Sequence, residues 1–223
     1  MADLARVFVG WDRREVLPWH VLCHSIIQHS SGPVAIAPVK LSQLPLTRPA
    51  EGSTEFSLSR FLVPWMCGYE GLALFMDCDM LVRCDVHAVL KMHDGSAVQV
   101  VQHDYTPKDA VKFYGNAQKP YPKKNWSSVM LFDCGQCQAL TPDYVNTASP
   151  MALHQFHWTD AVGSLPGVLN HLVGEYDYDP EAKVIHWTNG GPWLHAYAET
   201  DYGDDWWRAR YSMTAYQDDR RPR

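Results

Sequence analysis

The stretch Leu72-Ala73-Leu74-Phe75-Met76-Asp77-Cys78-Asp79-Met80-Leu81-Val82 constrains this chain more than any other. Five apolar residues after Gly71 have the length and continuity of a strand buried on both faces, as in a mostly parallel sheet covered by helices. The run halts on two carboxylates and then resumes. Residues i and i+2 of an extended chain point the same way, so Asp77 and Asp79 are expected to present their side chains together at the strand end. Paired oxygen donors suit a hard divalent cation that fills its shell with water and ligand phosphates. The plainer alternative is a loop with two solvated acids, since Asp-x-Asp alone is a short pattern.

The flanking chain reads as alternating strands and helices. Residues 6–10 form a first strand ending on Gly10, followed by Trp11 and Asp12 and a helical pattern through Val16, Trp19, Cys23 and Ile26. Pro18 is compatible with that helix only in its first turn. Such folds bind nucleotides at the carboxyl ends of strands, which makes the Gly10–Asp12 turn a candidate contact. A packed aromatic and a helix cap are the alternative roles for Trp11 and Asp12. Residues 34–39 read as a second strand. A helix is expected to start at Ser53, burying Leu58, Phe61, Leu62 and Trp65 and leaving Arg60 off the stripe.

Asp85 has the grammar of a cap for a short helix, and residues 97–101 are a further strand. Residues 106–124 mix five lysines with aromatics and prolines, the composition of a solvated loop or of a segment that covers a substrate. Residues 125–132 read as a strand, Thr141-Pro142 and Ser149-Pro150 as helix starts, residues 158–163 as a turn-rich connector and residues 183–187 as a last strand. A final helix opens at Asp204-Asp205. Its Trp206-Trp207-Arg208 packs on the domain or seats at a membrane interface. The tail, 216–223, is expected to be disordered.

At 223 residues the length suits one large α/β domain, and no linker or repeat marks a second. A net charge of −6 argues against a nucleic-acid partner, because phosphate-tracking surfaces need a basic field. Any phosphate must therefore be held locally, by a metal or by loops. The six cysteines come without a secretory signal, which points to reduced thiols and a cytoplasmic, soluble protein. Cys134-Gly135-Gln136-Cys137 lacks the second pair that a structural zinc site needs.

His186, at the end of the last strand, precedes Thr188-Asn189-Gly190-Gly191. If it joined Asp77 and Asp79, two carboxylates and an imidazole would suit Mn²⁺ better than Mg²⁺. The glycines would let backbone N–H groups approach a phosphate. A hydrogen-bonded core histidine is the alternative.

In this order, the Ser57-x-x-Arg60 helix, Asp77-Cys78-Asp79, Ser127-Ser128-Val129-Met130, Leu169-Asn170 and His186-Trp187-Thr188-Asn189-Gly190-Gly191-Pro192-Trp193 resemble the family-8 glycosyltransferases. The resemblance implies a single GT-A-like domain over 1–215, with a mostly parallel central sheet and helices on both faces. It implies a retaining hexosyltransferase-like enzyme that uses a nucleotide-sugar, most often a UDP-sugar. Mn²⁺ (or Mg²⁺) would bridge Asp77, Asp79 and His186 to the diphosphate. Gly10, Trp11, Asp12, Arg60, Cys78, Ser127, Gly190 and Gly191 would line the donor site. The acceptor would be a glycan, a lipid-linked sugar or a small molecule; no oligomeric state follows.

The chain departs from the family in three places. Gly191 stands where a diphosphate-binding lysine usually precedes Pro-Trp, so Arg60 or a lysine of 119–124 would have to compensate. Trp126-Ser127-Ser128 replaces Asn-Ser/Ala-Gly. Leu165-Pro166-Gly167 replaces an Asp-Gln-Asp motif, leaving Asp160 as the substitute acid beside the reacting carbon. Two other classes fit part of the pattern: a catalytically silent glycan- or nucleotide-binding protein, and a nucleotidyltransferase, for which Arg13 and Arg14 alone speak.

Overall fold

The computed structural model describes residues 4–109, 111–112, 115–117 and 120–214. In chain order the elements are β1 (Ala5–Gly10), α1 (Val16–His29), β2 (Val34–Val39), α2 (Val63–Met66), β3 (Leu72–Met76), β4 (Met80–Val82), α3 (Val86–Leu90), β5 (Val98–Val101), β6 (Val111–Lys112), β7 (Asn116–Ala117), β8 (Val129–Asp133), α4 (Pro142–Thr147), α5 (Pro150–His154), β9 (Val162–Leu165), β10 (His171–Leu172), β11 (Val184–His186) and α6 (Gly203–Ser212).

Two sheets organise them. The larger has six strands in the order β2-β1-β3-β8-β5-β9. Strand β1 runs parallel to β2 and β3, and β5 parallel to β9, whereas β8 opposes both of its neighbours. The apolar runs of β1, β3, β5 and β8 are buried almost throughout, as strands covered on both faces must be. The smaller sheet pairs β11 with β10 and, antiparallel, with β4, setting His186 opposite Met80. Because β3 and β4 belong to different sheets, Asp77-Cys78-Asp79 is the crossing between them.

Local chemistry places the helices. Pro18 falls in the first turn of α1, where its missing N–H costs nothing. Asp85, Thr141 and Ser149 each accept a hydrogen bond from the opening turn of α3, α4 and α5. A second apolar cluster, with Trp187, Tyr202 and Trp206 at its centre, docks α6 against the small sheet and α1. Trp206 is thereby fully buried in packing, while Tyr211 stays exposed. No helix among the described residues is long and apolar enough to cross a membrane.

Three expectations need correction. No helix starts at Ser53: residues 53–58 form turns, followed by a 3-10 turn over Ser59–Leu62 and the short α2. Trp65 is then partly exposed and Arg60 buried, the reverse of the helical stripe. The strand read over 125–132 begins only at Val129, behind a 3-10 turn at Trp126–Ser128. The connector at 158–163 runs into β9, whose Val-Gly-Ser-Leu carries too little apolar patterning to announce a strand. The tail, 216–223, lies outside the described residues.

Candidate metal centre

The crossing between the sheets is pinned at both ends. Asp77 N–H donates to the Ser128 carbonyl at 2.9 Å, and Asp79 O accepts from Trp187 N–H at 3.0 Å. Strand β11 ends beside it. One ligand atom each from Asp77, Asp79 and His186 lie within 4.8 Å of one another, the spread expected of three groups around one cation.

Side-chain hydrogen bonds then orient the imidazole. Asn170 Nδ2 donates to the Asn125 carbonyl at 3.3 Å and to Ser128 Oγ at 2.7 Å. A carbonyl can only accept, so Asn170 must turn Oδ1 to His186 Nδ1, 2.9 Å away, and Nδ1 must carry the proton. The lone pair of neutral His186 therefore sits on Nε2, facing Asp79 Oδ1 at 3.3 Å. Two acceptors at that distance call for a positive charge between them, a proton or a metal ion. Ligand types, spacing and tautomer all fit a divalent ion such as Mn²⁺.

Asp77, Asp79 and His186 line a cavity of about 440 Å³. Arg60 reaches it from the 3-10 turn: Nη1 lies 2.7 Å from Asp77 Oδ1 and donates to the Ser127 carbonyl at 2.8 Å. Its guanidinium packs over the rings of Phe56 and Phe75, with centroids 5.0 and 5.1 Å away. Planar charge on aromatic faces explains how an arginine only 5 % exposed is tolerated. Ser127 lines the same wall and hydrogen-bonds His154 Nδ1 at 2.7 Å. Burial, followed by the charge of Arg60, pushes the His154 imidazolium down to about 3, so His154 is neutral at physiological pH.

Other expected contacts lie elsewhere. Gly10 abuts Phe56, whose ring a Cβ would meet at 2.3 Å. Trp11 packs edge-on against Trp19 and under Lys40. Asp12 is fully buried, accepting from the Arg14 backbone and guanidinium and from Glu55 N–H. It ties residues 53–55 over the end of β1, and none of Gly10, Trp11 and Asp12 lines the cavity. Cys78 turns into the core, where burial and the surrounding carboxylates hold its thiol well above the usual range. Gly190 and Gly191 pack under aromatic rings: a Cβ would come within 2.6 Å of Tyr197 and 2.1 Å of Trp193, respectively. Asp160 is exposed just ahead of β9, at the end of the parallel β5–β9 pair opposite the cavity, and does not join it.

Lys124, Asn125, His154 and Asn170 belong to the cavity or its support, and sequence reasoning gave Asn125, His154 and Asn170 no specific role. Leu169-Asn170 was in view as part of a motif, but only the fold shows what its amide does. Lys124 is one of the lysines of 119–124 that could replace the missing diphosphate-binding lysine, and only the fold singles it out by placing it in the cavity lining.

No family model matches the chain. Among solved structures it is similar to the bifunctional glycosyltransferase WbbM, with a TM-score of 0.65 at 14 % identity over 94 % of this chain and 50 % of that one. It is also similar to the glycosyltransferase GlyE of Streptococcus pneumoniae TIGR4, at 0.62 and 13 % over 93 % and 61 %. The galactosyltransferase LgtC, solved with donor and acceptor sugar analogs, matches at 0.59 and 12 % over 96 % and 98 %. The chain thus spans about half of the first of these proteins and nearly all of the third, and its fold is that of the GT-A glycosyltransferases. In sequence it is 42 % identical over 217 residues to Protein CDI of Arabidopsis thaliana, covering 90 % of this chain and 84 % of that one. At that identity over most of both lengths, the chain belongs to the family of Protein CDI.

Proposed function

We propose that this protein is a metal-dependent glycosyltransferase that moves a hexose-type sugar from a nucleotide-sugar, with UDP as the nucleotide, to a glycan, lipid-linked or small-molecule acceptor. The carrying observation is the convergence of Asp77, Asp79 and an Asn170-oriented His186 in the lining of a 440 Å³ cavity in this fold. Residues 1–215 act as one catalytic domain, and the six free thiols suit a reducing, cytoplasmic setting.

Asp77, Asp79 and His186 would hold Mn²⁺ or Mg²⁺, which supplies positive charge where the leaving diphosphate gathers negative charge. Arg60 steadies Asp77 and adds a buried cation beside it. Neutral His154 fixes the Ser127 hydroxyl in the cavity lining. Retention of anomeric configuration follows from the family-8 resemblance, and proton NMR of the first-formed product decides it.

The primary test is thermal stabilisation by a panel of nucleotide-sugars with and without Mn²⁺. A donor at a hundredfold over its Kd adds about 2.7 kcal/mol, which for a chain of this size raises Tm by roughly 5–10 °C. Asp79→Ala and His186→Ala should abolish the Mn²⁺-dependent part and remain folded. If both variants keep full metal-dependent donor binding, the site assignment fails.

One observation favours a second reading, a catalytically silent glycan- or nucleotide-binding protein. The carboxylates lining the cavity are Asp77, Asp79 and Glu51, and Glu51 is paired with Arg48 at 2.7 Å. Among the described residues, no further acid lines the cavity. Slow Mn²⁺-dependent hydrolysis of a UDP-sugar would exclude this reading, and tight binding without turnover would support it.

A further inference from the structure

Lys124 is 8 % exposed, lines the cavity and sets its ammonium group 4.8 Å from the centroid of the Tyr121 ring. The backbone around it is built to put it there. Both neighbours, Lys123 and Asn125, take the left-handed conformation, at φ +60° and +61°, which costs non-glycine residues about 1 kcal/mol or more and persists only where the surroundings enforce it. Both are anchored. Lys123 Nζ donates to the Gln155 carbonyl at 2.8 Å and lies over the rings of Trp126 and Phe156. Asn125 Nδ2 donates to Tyr105 Oη at 2.8 Å and Thr188 Oγ1 at 3.2 Å. The Asn125 carbonyl receives Asn170, the residue that orients His186. One short segment therefore sets both the lysine and, through Asn170, the metal-facing imidazole.

Charge states what such a cavity accepts. Among the described residues, Asp77 and Asp79 are balanced by Arg60 and Lys124, and Glu51 by Arg48, so that part of the lining is neutral before an ion enters. A divalent ion at the triad leaves an excess of two positive charges, and a dianion restores neutrality. The bridging diphosphate of a nucleotide-sugar carries two negative charges on adjacent phosphates, one for the metal and one for a second cation.

We propose that Lys124 is the direct cationic partner of a metal-bound diphosphate, taking from the 120–125 segment the role that no lysine fills beside Pro192-Trp193. This rests on the reading of the triad as a metal and nucleotide-diphosphate site. The contact is to the phosphates, so it serves inorganic diphosphate as well as a nucleotide.

The test uses the full chain and its Lys124→Gln and Lys124→Arg variants. Mn²⁺ binding is followed by electron paramagnetic resonance, and binding of UDP and of inorganic diphosphate by calorimetry in saturating Mn²⁺. Lys124→Gln should leave Mn²⁺ affinity within about twofold and weaken both diphosphates by about tenfold or more, the worth of one charge-assisted hydrogen bond. Lys124→Arg should recover most of that loss. Unchanged diphosphate affinity in Lys124→Gln overturns the proposal, as does a loss confined to UDP, a parallel loss of Mn²⁺ affinity or no recovery with arginine. Wild-type protein that binds Mn²⁺ but neither diphosphate would instead overturn the donor-site reading itself.

Discussion

Asn170 makes no contact with a substrate in the proposed scheme, yet it decides which nitrogen of His186 faces the acids. Its amide is held by an acceptor that cannot reverse roles, the Asn125 carbonyl, so the choice of tautomer is built into the fold. Asn170→Ala removes that restraint, and loss of such an outer partner typically weakens metal binding about 10–100-fold. Titration with Mn²⁺ followed by electron paramagnetic resonance checks it; affinity within twofold of wild type would leave His186 oriented by packing alone. Arg60 carries a stability role as well. Removing one partner of a buried ion pair strands the other, so Arg60→Ala should cost about 3–5 kcal/mol in urea unfolding without Mn²⁺. A loss below about 1 kcal/mol would mean that water reaches Asp77 freely.

Among the elements, the turn after β11 explains a departure from the family-8 pattern. Gly190 has φ +129° and sits under Tyr197, and Gly191 sits under Trp193, leaving no room for a side chain at either place. Gly191→Lys, which restores the residue usual in that family, should therefore destabilise by about 1–3 kcal/mol through overpacking. It should not strengthen diphosphate binding, and tighter binding with unchanged stability would show that the ring moves aside at little cost. Helix α6 matters for the same corner. Trp206 packs in one cluster with Trp187, the neighbour of His186, so a chain ending at Thr200 should lose Mn²⁺ binding along with stability. Calorimetric titration of Mn²⁺ into that truncation is the check.

Over the whole molecule, several groups make folding sensitive to acid. Burial, then the nearby histidines, pushes the imidazolium of His103 down to about 3, and His154 is held at about the same value. An unfolded chain protonates such groups near 6.5, so it binds more protons than the folded one below that pH. Stability should therefore fall steadily as pH drops from 6.5 toward 3. Burial alone would raise the carboxyl of Asp12, but hydrogen bonds from Arg14 and Glu55 outweigh it and lower it below 3.8. Its contribution is present above 3.8 and is lost as pH falls through the lower, folded value. The urea midpoint measured between about pH 7 and pH 4 should decline, and His103→Gln should flatten the decline; a midpoint constant over that range would show that His103 protonates without unfolding.

What the sequence by itself determined was the buried runs of β1, β3 and β5, the capped helices α3, α4 and α5, and the Asp77-x-Asp79 pair, with His186 as a candidate third member. Strand period, cap residues and apolar runs act over a few neighbours, so they are written in short stretches of chain. The tertiary structure alone decided the rest. A helical stripe leaves Arg60 off the buried face, and only the turn over 59–62 buries it over the rings of Phe56 and Phe75. Glycines that suggested phosphate contact turned out to lie under aromatic rings, and the Gly10–Asp12 turn is covered by residues 53–56. Asn170 gained its place from contacts to Asn125, 45 residues away, and His186, 16 residues away, and Lys124 gained its place from neighbours tied to Gln155 and Thr188. Local spacing cannot encode such meetings, because they depend on which loops two different sheets bring to one corner.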